Sequence, residues 1–118
     1  MLATLHLETH EKATVARIVG EIDASNASDF GTQLKDALPN SALGLVLDLK
    51  DTSYIDSSGV HLIFELADAL RRRQQELKLV VPPESFVADV LRVVDVSGAA
   101  GVCATVPDAL DALGKPAF

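Results

Sequence analysis

Residues 45–60 read LVLDLKDTSYIDSSGV, and the order of these side chains decides the fold. The opening LVLDL is a short apolar run, the pattern of a strand covered on both faces. The polar stretch KDTSYI then leads as a loop to Asp56-Ser57-Ser58-Gly59, where Asp and Ser are favoured helix caps and Gly59 permits tight packing. Beyond it Val60, Ile63, Phe64, Ala67 and Leu70 recur at helical spacing, which predicts an amphipathic helix over about residues 57–75. A buried strand feeding such a helix is one half of a right-handed crossover between parallel strands.

The flanking sequence keeps that rhythm. In residues 2–8 Ala3, Leu5 and Leu7 alternate with Thr4, His6 and Glu8, a half-buried strand that turns through Thr9–Lys12 into a second strand, Ala13–Val19. Gly20-Glu21-Ile22-Asp23 ends this hairpin. Asn26 is placed to cap a first helix carrying Ala27, Phe30, Leu34, Ala37 and Leu38, with Asp29 near the positive end of its dipole and Pro39 as its stop. Downstream, Arg71, Arg72 and Arg73 fall in the last turns of the 57–75 helix, where cations suit the dipole. A strand over Leu77–Val81 ends at Pro82-Pro83, and Ser85 begins a third helix with Phe86, Val90, Leu91 and Val94. A weak strand, Val102–Val106, and a short helix, Asp108–Leu113, complete the order β-β-α-β-α-β-α-β-α. This predicts one α/β domain over residues 1–118, with a mixed, largely parallel sheet after an N-terminal β-hairpin and about four helices.

Composition narrows the function. The 118 residues fit one core, 48% are hydrophobic, and with 4% aromatics and no Trp that core is aliphatic. Ten basic against 17 acidic residues, a formal net charge of −7, argue against nucleic acid as a partner. Residues 1–70 hold 4 basic and 11 acidic side chains, whereas residues 71–118 hold 6 of each. The excess around Asp23, Asp48, Asp51 and Asp56 therefore suggests one acidic face and a partner with basic residues, with a solvated surface as the plainer reading. The single Cys103 cannot form an internal disulfide and reads as a buried small residue of a reducing compartment. The opening MLATLHLETHEK lacks a basic stretch before its apolar residues, and no segment has the length to span a bilayer. A cytoplasmic protein without membrane contact is expected.

Chemistry can sit in few places. Ser58 as a hydrolase nucleophile would need His61 and Asp56 as partners, but Ser57 stands where a nucleophile elbow has glycine, and neighbours on one helix do not form a triad easily. There is no phosphate-binding loop of the Gly-x4-Gly-Lys type, and His6 and His10 lack the cysteines or shared helical face of a zinc site. No cofactor, metal or enzymatic activity is expected. A serine at a helix start is instead suited to phosphorylation. The added charge is partly accommodated by the helix N-terminus and repelled by Asp23 and Asp56, which are expected beside it once the strand ends converge. Such a site is a switch acting on an interface.

Gly20-Glu21-Ile22-Asp23, then LDLKDTSYIDSSGV at residues 47–60 and LKLVVPPESFVADVLRVVDVSGA at residues 77–99, resemble the STAS-domain anti-sigma-factor antagonists of bacteria. The resemblance covers nearly the whole chain. It implies a protein that in its unphosphorylated form binds an anti-sigma factor with serine kinase activity and so frees a sigma factor. Phosphorylation ends that binding and a PP2C-type phosphatase restores it; ATP and magnesium belong to the kinase. By position in the motif the phosphoacceptor is Ser58, with Ser57 as second choice, and Asp23, Asp56, Ser57, Ser58, Gly59 and His61 form the partner-binding surface. The alternative within the same family is a non-phosphorylated subunit docking on an ABC-type lipid-transport ATPase or a stress-sensing scaffold. Two departures stand out: His61 and Leu62 follow Asp-Ser-Ser-Gly-Val where many relatives carry small residues, and SGAAGVCATV lacks the usual bulky residue after its first glycine.

Overall fold

The computed structural model describes residues 3–114, the side chain of Ser97 apart. Strand β1 (Thr4–Thr9) pairs antiparallel with β2 (Ala13–Ile22) in the register Thr4↔Val19 to Thr9↔Thr14. Leu2, which the alternation places in β1, lies outside the described residues. Helix α1 (Ala27–Ala37), strand β3 (Gly44–Asp48), strand β4 (Thr52–Ile55) and helix α2 (Ser57–Arg72) follow. Strand β5 (Glu76–Val80), helix α3 (Phe86–Val94), a single 3-10 turn, strand β6 (Gly101–Cys103) and helix α4 (Val106–Ala112) complete the chain. The sheet order is β1-β2-β3-β5-β6, with every pairing after the hairpin parallel.

The sequence reading treats KDTSYI as a loop, and this is its main correction. Thr52–Ile55 form β4, which pairs with the second half of β2 while β3 pairs with the first half. Strand β2 can serve two partners because its register shifts between Gly20 and Glu21, and Gly20 has φ +115, a conformation that only glycine adopts freely. Thr52 holds the junction, donating its hydroxyl to Ile18 O at 2.8 Å.

Alternation then sorts the side chains into two layers. Ala16, Ile18 and Ile22 of β2, with Leu45 and Leu47 of β3 and Leu77 and Leu79 of β5, face α1, α2 and α3 and form the main core. Ala13, Val15, Val46 and Val80 point the other way and are covered by Ala109 and Leu113, so α4 forms a smaller second layer. The edge strand β1 is more exposed than its pattern suggests: Leu7 is 49% exposed, and only Ala3 and Leu5 pack on the core. Cys103 is half-buried rather than buried. Arg73 corrects a second expectation. It lies just past α2 and donates to Lys35 O at 3.3 Å and Leu38 O at 2.6 Å, so its cation serves the C-terminal carbonyls of α1. Among the described residues no helix is long and apolar enough to cross a membrane.

Candidate functional site

The site begins with a register. Ile22 of β2 pairs with Ile55 of β4, and Asp56 N–H donates to Ile22 O at 3.3 Å. The next residue on each strand is therefore an aspartate, so Asp23 and Asp56 leave the same end of the sheet on neighbouring strands, about 4.8 Å apart in the backbone. The convergence expected from the sequence is present.

Each carboxylate is occupied locally. Asp56 is the N-cap of α2, and its Oδ1 accepts from the backbone N–H groups of Ser58 at 2.8 Å and Gly59 at 3.3 Å. Asp23 Oδ1 accepts from the hydroxyl of Ser25 and from its N–H at 2.9 Å. These bonds, the hydroxyl first, hold the Asp23 carboxyl below its ordinary value, because they favour the charged form. Asn26 departs from its predicted role: it precedes α1, but its side chain makes no cap hydrogen bond to the helix. Its Oδ1 instead accepts from Asp23 N–H at 3.0 Å and its Nδ2 donates to Glu21 O at 2.9 Å, which fixes the loop that carries Asp23.

Gly59 is buried against this end of the sheet. A Cβ there would fall within contact distance of Ile55 Cγ1 and stand 3.0 Å from Ile22 Cγ2, so the absence of a side chain lets α2 start where it does. The packing role read from the sequence is the one the geometry supplies. Ser57 is exposed, Ser58 is half-buried, and the His61 side chain is 75% exposed one turn further on.

Ser57, Ser58 and His61 form one wall of a groove of about 540 Å³ between α1 and α2. The other wall carries Ser28, Thr32 and Lys35 of α1, and Glu65 closes the α2 side, 3.3 Å from His61 Nε2. Sequence reasoning passed over Thr32, Lys35 and Glu65. The signal was available: Ser28, Thr32 and Lys35 are spaced i, i+4, i+7 and so share a face beside the apolar stripe of α1. The bulky Leu62 has its counterpart on α1, where a Cβ on Gly31 would stand 3.0 Å from Leu62 Cδ1. A large residue on α2 thus meets the one residue type on α1 that leaves room for it.

The geometry does not assemble a triad. Asp56 Oδ1 serves backbone N–H groups, His61 Nε2 faces Glu65, and among the described residues no hydrogen bond joins Ser58 Oγ to His61. Nor, among those residues, does any cluster of His, Cys, Asp and Glu have the makings of a metal site. The broad acidic face expected around Ser58 is also reduced. Asp48 is buried with Oδ1 on Lys50 N–H at 3.0 Å, and Asp51 pairs with Arg17 at 3.0 Å. Arg17 lies on the strand face opposite Ala16 and Ile18, away from α1 and α2. Asp23 and Asp56 are what remains of the four.

Comparison with known proteins places this arrangement. An anti-sigma factor antagonist from Mycobacterium paratuberculosis superposes with a TM-score of 0.84 at 20% identity, over 97% of this chain and 96% of its own. A putative anti-sigma factor antagonist from Thermotoga maritima gives 0.83 at 20% identity, over 94% and 95%. The Bacillus cell fate determinant SpoIIAA in its phosphorylated form gives 0.67 at 20% identity, over 92% and 97%. At these identities the likeness is one of fold. The family model for the STAS domain matches residues 4–109, and on that match this chain belongs to the STAS domain family.

Proposed function

We propose that this chain is an anti-sigma-factor antagonist, a binding module rather than an enzyme, that phosphorylation at Ser58 switches off. Unphosphorylated, it docks through the surface around Asp23, Asp56, Ser57, Ser58 and His61 on an anti-sigma factor that is also a serine kinase, and so frees a sigma factor. A PP2C-type phosphatase resets it. The observation that carries this reading is the placement of Ser58, half-buried at the mouth of the α1–α2 groove with the nearest helix-terminal donors already bonded to Asp56. A phosphate adds up to about two negative charges. Because Asp56 already takes the N–H groups of Ser58 and Gly59, the phosphate finds few donors in α2 and stays on the docking surface, where its bulk and its desolvation beside a carboxylate oppose a partner shaped to the unmodified serine.

The test uses the purified chain, its candidate kinase and ATP, with the modified residue mapped by mass spectrometry. Phosphate should appear on Ser58, Ser58→Ala should keep binding while losing the phosphate, and Ser58→Asp should lose binding. No phosphate on Ser58 or Ser57, together with full binding by Ser58→Asp, would refute the proposal. Copurification with an ABC-type ATPase or a stress scaffold instead of a kinase would assign the chain to the non-phosphorylated branch of the family.

A further inference from the structure

Helix α3 carries more apolar surface than the core uses. It buries Val87, Ala88 and Leu91 and rests the half-buried Val90 on the core, yet Phe86 and Val93, spaced i, i+7, form with the open side of Val90 a second stripe that has Val94 beside it. Phe86 is 50% exposed and Val93 is 85% exposed. The stripe extends onto the sheet through Tyr54 of β4, 40% exposed, whose ring stacks on Phe86 with centroids 5.6 Å apart and planes 11° from parallel. Isolated exposed hydrophobics are ordinary, but a continuous apolar strip rimmed by charge marks a contact surface.

The charges on its rim say what fits there. Asp89 and Arg92 stand along one edge, joined at 2.8 Å, and Arg92 is held in place by a second bond to Pro83 O at 2.7 Å. With the acidic residue towards the N-terminus and the basic one towards the C-terminus, an antiparallel copy of α3 brings each Asp89 towards the opposite Arg92. The edge is its own complement. The surrounding sequence permits such a contact: the excess of −7 lies wholly in residues 1–70, while residues 71–118 hold 6 basic and 6 acidic side chains. Helix α3 itself carries one acid, Asp89, and one base, Arg92, so two copies meeting through it bring no like-charge excess of that helix together.

We propose that Tyr54, Phe86, Val90 and Val93 form a two-fold interface with a second copy of this chain. None of these residues lines the groove between α1 and α2. A helix of nine residues is about 14 Å long, so the patch is smaller than the roughly 800 Å² per partner of a stable complex, and the pair forms at high protein concentration.

The full chain is examined by sedimentation velocity and by light scattering after gel filtration, from about 10 µM to about 1 mM, the range of weak association. The mass should rise from 12.5 kDa towards twice that value. Val93→Glu, at the most exposed position of the stripe, should remain monomeric throughout with an unchanged circular dichroism spectrum. Asp89→Arg should weaken association at least tenfold, and adding Arg92→Asp should restore it. A monomer over the whole range, or an undiminished dimer in Val93→Glu, overturns the proposal; a double swap that folds but does not restore association overturns the two-fold arrangement.

Discussion

Gly59→Ala separates two forces that act in opposite directions on the start of α2. In a helix the change from glycine to alanine gains up to about 1 kcal/mol by propensity alone. Here the new methyl would press on Ile55 Cγ1, lie 2.9 Å from Ile55 Cδ1 and 3.0 Å from Ile22 Cγ2. Both isoleucines are almost wholly buried, Ile22 at 1% and Ile55 at 2% exposure, so neither has solvent to move into. Overpacking of this kind costs about 1–3 kcal/mol, and it outweighs the helix gain to leave a net loss of about 1–2 kcal/mol. For a domain of this length that lowers the Tm by roughly 3–10 °C. Thermal and urea unfolding followed by circular dichroism measure it, the urea midpoint falling at unchanged slope. Gly31→Ala is the control, because its only close neighbour is Leu62 Cδ1 at 3.0 Å, a side-chain end beside an open groove. It should be neutral or stabilising by a few tenths of a kcal/mol. In the Gly59→Ala background, Ile55→Val removes the atom at 2.9 Å and should cost less than the usual roughly 0.5–1.5 kcal/mol. A Gly59→Ala protein as stable as the parent would refute the steric account and leave Gly59 as a residue of no packing consequence.

Four further outcomes follow from named contacts. Asp56→Ala removes the cap of α2 and should cost about 1 kcal/mol in urea unfolding, whereas Asp56→Asn retains most of it. Arg73→Ala strips the partners of Lys35 O, Leu38 O and Asn40 Oδ1 and should destabilise by about 1–2 kcal/mol, with Arg73→Lys recovering less than half because an ammonium cannot reproduce the fork. Asp23 is depressed by its Ser25 bonds, so its contribution to stability is complete above the ordinary carboxylate pKa of about 3.9 and is lost as pH falls through its lower folded value. Ser25→Ala should move the Asp23 titration upward in a carboxyl-detected NMR titration and shrink that loss. Docking on a basic partner should weaken only a few-fold between about 0.05 and 0.5 M salt, measured by calorimetry, because Asp48 is buried and Asp51 is paired with Arg17.

Long-range order was legible where periodicity was clean. The alternation of parallel strands and helices after a hairpin and the cap at Asp56 follow from spacing and residue type, and the fold bears them out. The stripe of α2 is rotated from its expected place: Ile63, Ala67 and Leu70 are buried as read, but Leu62 and Leu66 join them while Val60 and Phe64 are half-buried. Strand β4 was not legible because its four residues, Thr-Ser-Tyr-Ile, bury only the two ends, a pattern matching neither alternation nor an apolar run. Its existence depends on the bulge at Gly20 and on a partner more than thirty residues away, neither of which is a local signal. The end of α2 was misplaced for a different reason. Gln74 takes the left-handed conformation, φ +59, where a glycine normally announces the stop. Asn26 shows the limit of a residue-type rule: its amide has two uses, and the β2–α1 loop claims it before the helix does.

The charge arithmetic changes most once the chain is folded. As a sequence, Asp23, Asp48, Asp51 and Asp56 look like one negative field about Ser58. In the structure Asp48 is inside, Asp51 is neutralised by Arg17, and Glu65, the nearest further acid on α2, stands against His61. On the proposed reading the switch is therefore short-ranged. A phosphate on Ser58 would put up to about two negative charges on the docking surface itself, beside the Asp56 carboxylate, and what shifts the docking equilibrium is the part of that repulsion and desolvation that arises when a partner closes over it. On the same reading the capping geometry has a consequence: with the N–H groups of Ser58 and Gly59 already on Asp56, α2 offers a phosphate on Ser58 fewer donors, and more of the new charge is left to the interface.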